Sequence, residues 1–417
     1  MNQSVERKVL IHNLLFNLLD GSFFGFGLGF TSFTTIIPLF VSNMTDSALL
    51  IGLIPAIHNV GWQFPQLLTA NSVSKMEEFK PFVLKMTLNE RLPFLGFAIV
   101  SLLASTIGTK AALALTFALL IWQGIGAGVT ANAWQNFISK IIPSEILATF
   151  IGSQSAGANL LSSVGAVLAG IILERIADPY NFTLCFSLTF LCFAISWTFL
   201  FQSKEERRVI HPEPENSLPF WQNVGRILKQ DRVFDGFLIS RLLGQFGMMA
   251  FAFYTVFAVK KLGMDAITVG IMTSVLLITQ TVANPILGWL ADRWSRKWIL
   301  AIGSICAVLS AVLAYLIKDP GWFSIVFILT GFANVAYWTI GMAIALEFGN
   351  EREKPIYVGM SNTLIAPATI LAPVVGGLLA DLLGYESTFI ISAVFAVITF
   401  IIVAIIVKDK KEPSLSL

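Results

Sequence analysis

Few residues in this sequence have the types and spacing for chemistry, and those few lie where charge is expensive. Arg241 and Gln245 stand one helical turn apart on one face of an apolar stretch. A cation beside an amide there can receive an anionic group of a solute. His58 lies mid-stretch, with Asn59, Trp62, Gln63 and Gln66 following it. A histidine so placed can exchange a proton between roughly pH 5 and 8. Asp20, and the adjacent Glu90 and Arg91, are further ionisable groups in apolar surroundings. Neighbours in sequence do not face each other on a helix, so Glu90 and Arg91 are not each other's partner. Gln123 and Trp134 lie in one apolar stretch, and Asn334, Trp338 and Gly341 follow i, i+4, i+7 in another. Amides and indoles at such spacing suit a neutral or amphiphilic organic molecule. Each has a structural alternative: an ion pair of Arg241 with Asp20 or Asp235, hydrogen bonds within a bundle for His58 and the amides, an interfacial place for Asp20.

This inventory binds and exchanges protons; it does not make bonds. With three histidines in all and no H-E-x-x-H, there is no metal site and no nucleophilic constellation. No G-x-x-x-x-G-K-[ST] loop is present to cradle ATP. The sequence predicts neither an enzyme nor a cofactor.

The elements that must hold these residues are membrane spans. The 417 residues are 56% hydrophobic and 12% charged, where a soluble chain carries about 25% charged residues. The apolar residues come in blocks of about 20 or more, which predicts spanning helices rather than a barrel. A net charge of +2 gives no case for nucleic acid. Cys185 and Cys192 are about 10 Å apart along a helix axis, too far for a disulfide, and read with Cys306 as core hydrophobes.

Twelve segments are expected near 14–41, 48–70, 82–106, 111–138, 148–173, 180–201, 234–258, 266–290, 298–317, 322–347, 356–383 and 386–407. With the N-terminus in the cytoplasm, twenty basic residues fall on the cytoplasmic side. Only Lys110, Arg175, Lys260, Lys261 and Lys318 fall outside, and Arg91 and Arg241 lie within spans. That asymmetry predicts both termini inside. The expected fold class is all-α integral membrane, with a six-helix half over 1–202, a cytoplasmic linker over 203–232 and a second half over 233–417. Within the linker, Phe220, Val224 and Leu228 suggest an amphipathic surface helix.

The halves repeat. At an offset of 207, Gly124 matches Gly331, Gly152 matches Gly359, Gly170 matches Gly377 and Glu174 matches Asp381. Parallel halves of this kind are one transporter architecture. Between segments 8 and 9, Gly288-Trp289-Leu290-Ala291-Asp292-Arg293-Trp294-Ser295-Arg296-Lys297 resembles the loop signature G-x-L-A-D-R-x-G-R-K of the major facilitator superfamily, departing at Ser295. Gln123-Gly124-Ile125-Gly126-Ala127 resembles a segment-4 motif of that family, with Leu120 where its Arg would stand. Pro373-Val374-Val375-Gly376-Gly377 resembles its P-x-x-G-G element, while Ala166 stands in segment 5 without the matching proline.

The resemblance implies an alternating-access carrier, with segments 1, 4, 7 and 10 lining the cavity and the loop cluster acting as a cytoplasmic latch. Asp292, Arg293, Arg296 and Lys297 would form it, with Glu347 as partner of Arg293 or Arg296. The corresponding first-half positions are Ser74, Lys75 and Lys140, so the latch is expected to be one-sided. The function expected is secondary active transport of a small organic solute, coupled to a proton or another ion, by a monomer in the cell membrane. Two alternatives stand beside it: antiport of hydrophobic drugs, against which Leu120 and Ala166 speak, and a non-transporting receptor or assembly factor of the same fold.

Overall fold

The computed structural model describes residues 3–33, 35–45, 47–208, 219–264 and 266–407. Every regular element among them is helical, without a strand. Bilayer physics requires this, because a spanning segment must satisfy its backbone polar groups internally. Among the described residues, eleven helical stretches are long and apolar enough to cross a membrane. Their outward sides are aliphatic: Val167 is 66% exposed, Ile278 63% and Leu382 78%. In water such belts would aggregate, and in lipid they are the solvated surface.

The first half of the sequence contributes α1 (Gln3–Phe30), α2 (Ile36–Ser42), α3 (Ala48–Gln63), α4 (Pro65–Ser74), α5 (Lys80–Met86), α6 (Leu88–Ile107), α7 (Thr109–Ile141), α8 (Leu147–Arg175) and α9 (Tyr180–Gln202). The span expected over 48–70 is thus two helices. Pro65 lacks an N–H and its ring crowds the carbonyl four residues back, so the helix divides there. The second half contributes α10 (Phe220–Gln230), α11 (Arg232–Gly247), α12 (Tyr254–Leu262), α13 (Ala266–Arg293), α14 (Arg296–Leu316), α15 (Ser324–Val335), α16 (Gly341–Ala345), α17 (Lys354–Thr363), α18 (Ala366–Leu383) and α19 (Tyr385–Ile405). Segment 7 is broken between α11 and α12 by a 3-10 stretch, Met249–Phe253. Segment 10 is interrupted by a π turn, Ala336–Ile340. Discontinuous helices at membrane depth are tolerated where backbone lines a cavity or is buried in protein. They cluster at transport sites.

The residues form two compact units that cross the sequence halves. One holds Met1–Pro143, Gln154–His211 and Val358–Thr363; the other holds Ser144–Ser153, Pro212–Tyr357 and Leu364–Leu417. In the first, a core of Phe40, Phe94, Phe97, Phe182, Phe186 and Phe193 sits between α1, α6 and α9. Gly25 makes the approach of α1 to α8 possible, since a Cβ there would meet Ala158 Cα at 2.5 Å. Gly61 does the same for α3 and α7, with Gly124 Cα 2.6 Å from its missing Cβ. In the second unit, Tyr254, Phe257, Phe323 and Phe389 form the core.

The linker helix α10 buries Val224 and Ile227 and leaves Leu228 37% exposed. The expected stripe of Phe220, Val224 and Leu228 is therefore turned by about one residue. Arg226 holds this helix to Glu353 at 2.7 Å.

Candidate functional site

Four elements of the second unit meet around one carboxylate. Asp292 lies in the last turn of α13, and Ser295 then starts α14 by accepting Trp298 N–H at 3.0 Å. A serine in that extended conformation is a good N-cap, which accounts for its standing where the signature has glycine. Asp292 turns toward the start of α8. Its Oδ1 accepts Ala148 N–H at 3.1 Å, and its Oδ2 accepts Thr149 N–H at 2.6 Å and Thr149 Oγ1 at 2.8 Å. The first N–H groups of a helix have no intrahelical acceptor and carry the positive end of its dipole, so a carboxylate is well placed there.

Arg296 completes the cluster. Its Nη2 donates to Asp292 Oδ1 at 2.7 Å and to Ser144 O, and its Nη1 donates to Glu347 Oε1 at 2.6 Å. The Asp292 and Arg296 side chains are 2% and 8% exposed, and that of Glu347 is 27% exposed. Gly288 lets the two chains approach this closely, because a Cβ there would fall on the Ala148 backbone, 2.9 Å from its carbonyl carbon. Of the two arginines, Arg296 is the one that meets Glu347. Arg293 lies over the Trp289 ring at 4.9 Å, and Lys297 over Trp298 at 5.2 Å.

The same unit holds Arg241, Gln245, Asn334 and Trp338. Arg241 is buried, 5.9 Å over Phe237, and its Nε lies 3.8 Å from where a Cβ on Gly341 would stand. Gln245 and Asn334 are half-buried, while Trp338 stands 48% exposed on the π turn. That turn is pinned on both sides. Thr339 Oγ1 donates to Asn284 Oδ1 at 2.5 Å, and Tyr337 Oη donates to Ser304 Oγ at 3.0 Å. A π turn inside an α-helix commonly marks a functional position.

In the first unit the predicted residues divide into three groups. Asp20 is buried with Arg91 at 3.5 Å, and Ser196 Oγ donates to it at 2.6 Å. Arg91 also donates to Phe193 O and Ser196 Oγ, and its guanidinium lies over Phe24 at 5.2 Å. This joins α1, α6 and α9. His58 stacks on Phe33 at 3.9 Å and meets Gln123 Oε1 at 3.0 Å, and Asn59 beside it is exposed. The third group is a set of amides. Gln66 Oε1 accepts from Asn362 Nδ2 at 2.7 Å and Gln135 Nε2 at 3.3 Å, while Asn132 Nδ2 donates to Gln66 O at 2.8 Å. Gln63 joins through its carbonyl, which accepts from Thr363 Oγ1 at 3.0 Å. Trp134 is half-buried on α7.

One cluster was not foreseen. Glu205, which a sequence reading leaves in a solvated charge run, is buried: its side chain is 2% exposed. It accepts Phe79 N–H at 2.9 Å and Lys80 N–H at 2.7 Å at the start of α5, and pairs with Lys140 at 2.7 Å. Arg208 donates to Ser74 O at 2.7 Å and Met76 O at 2.7 Å beyond α4, stacked on Phe79 at 4.8 Å. The only signal was the alternation of charge in Lys204-Glu205-Glu206-Arg207-Arg208, which matches exposed and paired helix ends equally well. Glu205→Gln is expected to cost about 1.5–3 kcal/mol, the range for hydrogen bonds to a charged group. A thermal melt of the purified variant measures it.

No group of three or more His, Cys, Asp or Glu able to hold a metal occurs among the described residues.

Comparison with known proteins places this geometry in context. The model of the Major Facilitator Superfamily matches residues 87–265 and 237–416. The multidrug resistance protein MdtG of Dickeya zeae (strain Ech586) is 26% identical over 144 residues, 34% of this chain and 35% of that protein. The MFS-type transporter SLC18B1 of Rattus norvegicus is 21% identical over 310 residues, 70% of this chain and 65% of that protein. The chain thus spans about a third to two thirds of the length of these relatives, and 12% of Protein spinster of Drosophila melanogaster. The crystal structure of FucP in the outward conformation superposes with a TM-score of 0.75 at 14% identity, covering 95% of this chain and 99% of that one. A bacterial homologue of the iron transporter ferroportin in an outward-facing state gives 0.75 at 12% identity, covering 95% and 98%.

Proposed function

Because this chain belongs to the major facilitator superfamily, we propose that it moves a small organic solute across the membrane by alternating access, coupled to a proton or another ion. On this reading both termini are cytoplasmic, and twelve spans form halves 1–202 and 233–417 about the linker 203–232. It works as a monomer in the cell membrane. Arg241, Gln245, Asn334, Trp338, Gln123, Trp134, Asn59 and Gln63 are the residues assigned to the solute path. His58 and Asp20 are the titratable groups within it. Asp292, Arg293, Arg296, Lys297 and Glu347 form the cytoplasmic gate.

The observation that carries this reading is Asp292 on the first turn of α8. It ties the end of segment 8 to the start of segment 5, which come from opposite halves of the sequence. A carrier that rocks its halves must make and break such a contact in every cycle. The bonds are charge-assisted and partly desolvated, strong enough to bias a conformer and confined to one helix end.

A thermal-shift screen of the purified protein against metabolites and hydrophobic drugs at two pH values tests the assignment. A stabilising compound is expected to show saturable uptake or efflux in proteoliposomes under an ion gradient. Its stabilising shift is expected to fall at least about tenfold in apparent affinity in Arg241→Ala, the scale of one lost charge-assisted contact. A stabilising compound bound as tightly by Arg241→Ala would make Arg241 structural. Liposomes that move no compound under any gradient would favour the receptor reading. Drug efflux remains a second reading because of the similarity to the multidrug resistance protein MdtG. A screen whose hits are all lipophilic cations would select it.

A further inference from the structure

We propose that His58 is the proton-binding group of this carrier, and that its protonation state sets the amide cluster around Gln66 and Asn362. This deepens the transport reading above and rests on it for its purpose, though not for its test.

The ring's chemistry follows from its two contacts. The oxygen of an amide can only accept, so Gln123 Oε1 at 3.0 Å requires a proton on His58 Nδ1. The neutral ring then presents the lone pair of Nε2 as its proton acceptor. The ring is half-buried, and one face is stacked on Phe33 at 3.9 Å with an interplanar angle of 14°. A proton arriving from water makes an imidazolium, whose second N–H needs an acceptor. Among the described residues none is within hydrogen-bond reach. Binding the proton therefore strains the closed packing and favours an arrangement in which water reaches Nε2.

Fixed charge does not compete for this role. α3 packs chiefly on α7, α2 and α4. α7 carries charge only at Lys110 and Lys140, roughly 20 and 25 Å along the axis from Gln123. α2 and α4 carry none, and Lys75 follows α4. On the other helices of the unit the ionisable groups near this depth are Asp20, Glu90 and Arg91. Of these, Asp20 and Arg91 are paired with each other at 3.5 Å.

The lever is segment 2 itself. His58 and Trp62 follow i, i+4 and so share one face of α3. Gln66 bridges the break at Pro65, because its Nε2 donates back to Trp62 O at 2.8 Å. Its Oε1 is the acceptor that holds Asn362 Nδ2 at 2.7 Å. The crossing of α3 on α7 is close-packed, with Gly61 and Gly124 in backbone contact. A shift at His58 therefore moves α3 as a body instead of being absorbed by side chains, and the neutral amide bonds at Gln66 are the first to feel it. Uncharged bonds suit a contact that must break each cycle, being about half as strong as charge-assisted ones.

Hydrogen exchange of the full chain in nanodiscs, corrected for the intrinsic pH effect, tests this without knowing the solute. Peptides covering 60–76 and 356–364 are expected to exchange roughly tenfold faster at pH 5.5 than at 7.5, one decade for each pKa unit of coupling. His58→Gln, which cannot titrate, is expected to abolish the difference, whereas His12→Gln keeps it. Ring carbon resonances of labelled histidine give a second readout in the native protein, which has three histidines to assign. The His58 signal is expected to respond to pH over the range of the exchange experiment. A pH response that survives in His58→Gln, or a His58 signal that stays unchanged over that range, overturns the proposal. A compound transported with no pH dependence would also overturn it while leaving the carrier reading intact. A titrating gate in a protein that moves no solute would do the reverse.

Discussion

Asp292→Asn is expected to release the contact between α13 and α8 and to shift the protein away from the state in which it is made. The substitution keeps the shape but removes the charge, and one amide group then faces the Thr149 N–H or the Arg296 guanidinium as a donor against a donor. Arg296 also loses the carboxylate 2.7 Å away that offsets its own burial. Removing one partner of a buried pair typically costs 3–5 kcal/mol, on the order of a thousandfold in an equilibrium between conformers. Glu347→Gln should cost far less, about 1 kcal/mol or below, because Glu347 is 27% exposed and water replaces much of the bond. Distances between nitroxides at Glu145 and Glu351, measured by pulsed electron resonance in nanodiscs, read the balance. The native protein should give a dominant short distance, Asp292→Asn a dominant long one, and Glu347→Gln a mixture. Equal distributions in all three would remove the gate from the account.

Arg91→Leu is the second large effect, and it falls on stability. Asp20 is 4% exposed and would keep only the Ser196 hydroxyl as a partner. An unpaired carboxylate at that depth costs 3–5 kcal/mol. Asp20→Asn should be milder, because Arg91 retains the Phe193 carbonyl, Ser196 Oγ and the Phe24 ring. The double variant should be more stable than Arg91→Leu alone, since it removes the Asp20 carboxylate that Arg91→Leu leaves without its cation. Melting temperatures of the three in detergent order these expectations. If instead Asp20→Asn left stability untouched and abolished pH-dependent transport, Asp20 would be a coupling residue and the Asp20–Arg91 pair a functional element.

Much of this was legible in the sequence because membrane proteins write their rare charges in few places. The helical class followed from composition, and the loop signature picked out Asp292 and Arg296 by type and order alone. The residues that sequence reasoning left open were those whose meaning is set by a distant partner. Arg293 and Arg296 are equivalent in the signature, and only the packing of α14 decides that one meets Glu347 and the other lies on Trp289. Asp20 and Arg91 are 71 positions apart in the sequence, and nothing local couples them. Glu205 was missed for the same reason, since a buried helix-capping carboxylate and a solvated one look alike in a charged linker. The helix breaks at Phe64 and around Met249 were also hidden. A hydropathy window averages over them, whereas Pro65 and the packing of the 3-10 stretch act at single residues.

The most direct test of alternating access is exchange of solute between the two sides of a sealed membrane. A compound found by thermal shift, preloaded unlabelled into proteoliposomes with the native protein and no ATP, should drive transient accumulation of its labelled form from outside. Asp292→Asn should reduce that counterflow at least about tenfold while still binding the compound, as a gate contact acting on conformation requires. Counterflow at the native rate in Asp292→Asn would contradict the gate. No counterflow in the native protein, with binding intact, would contradict the carrier itself.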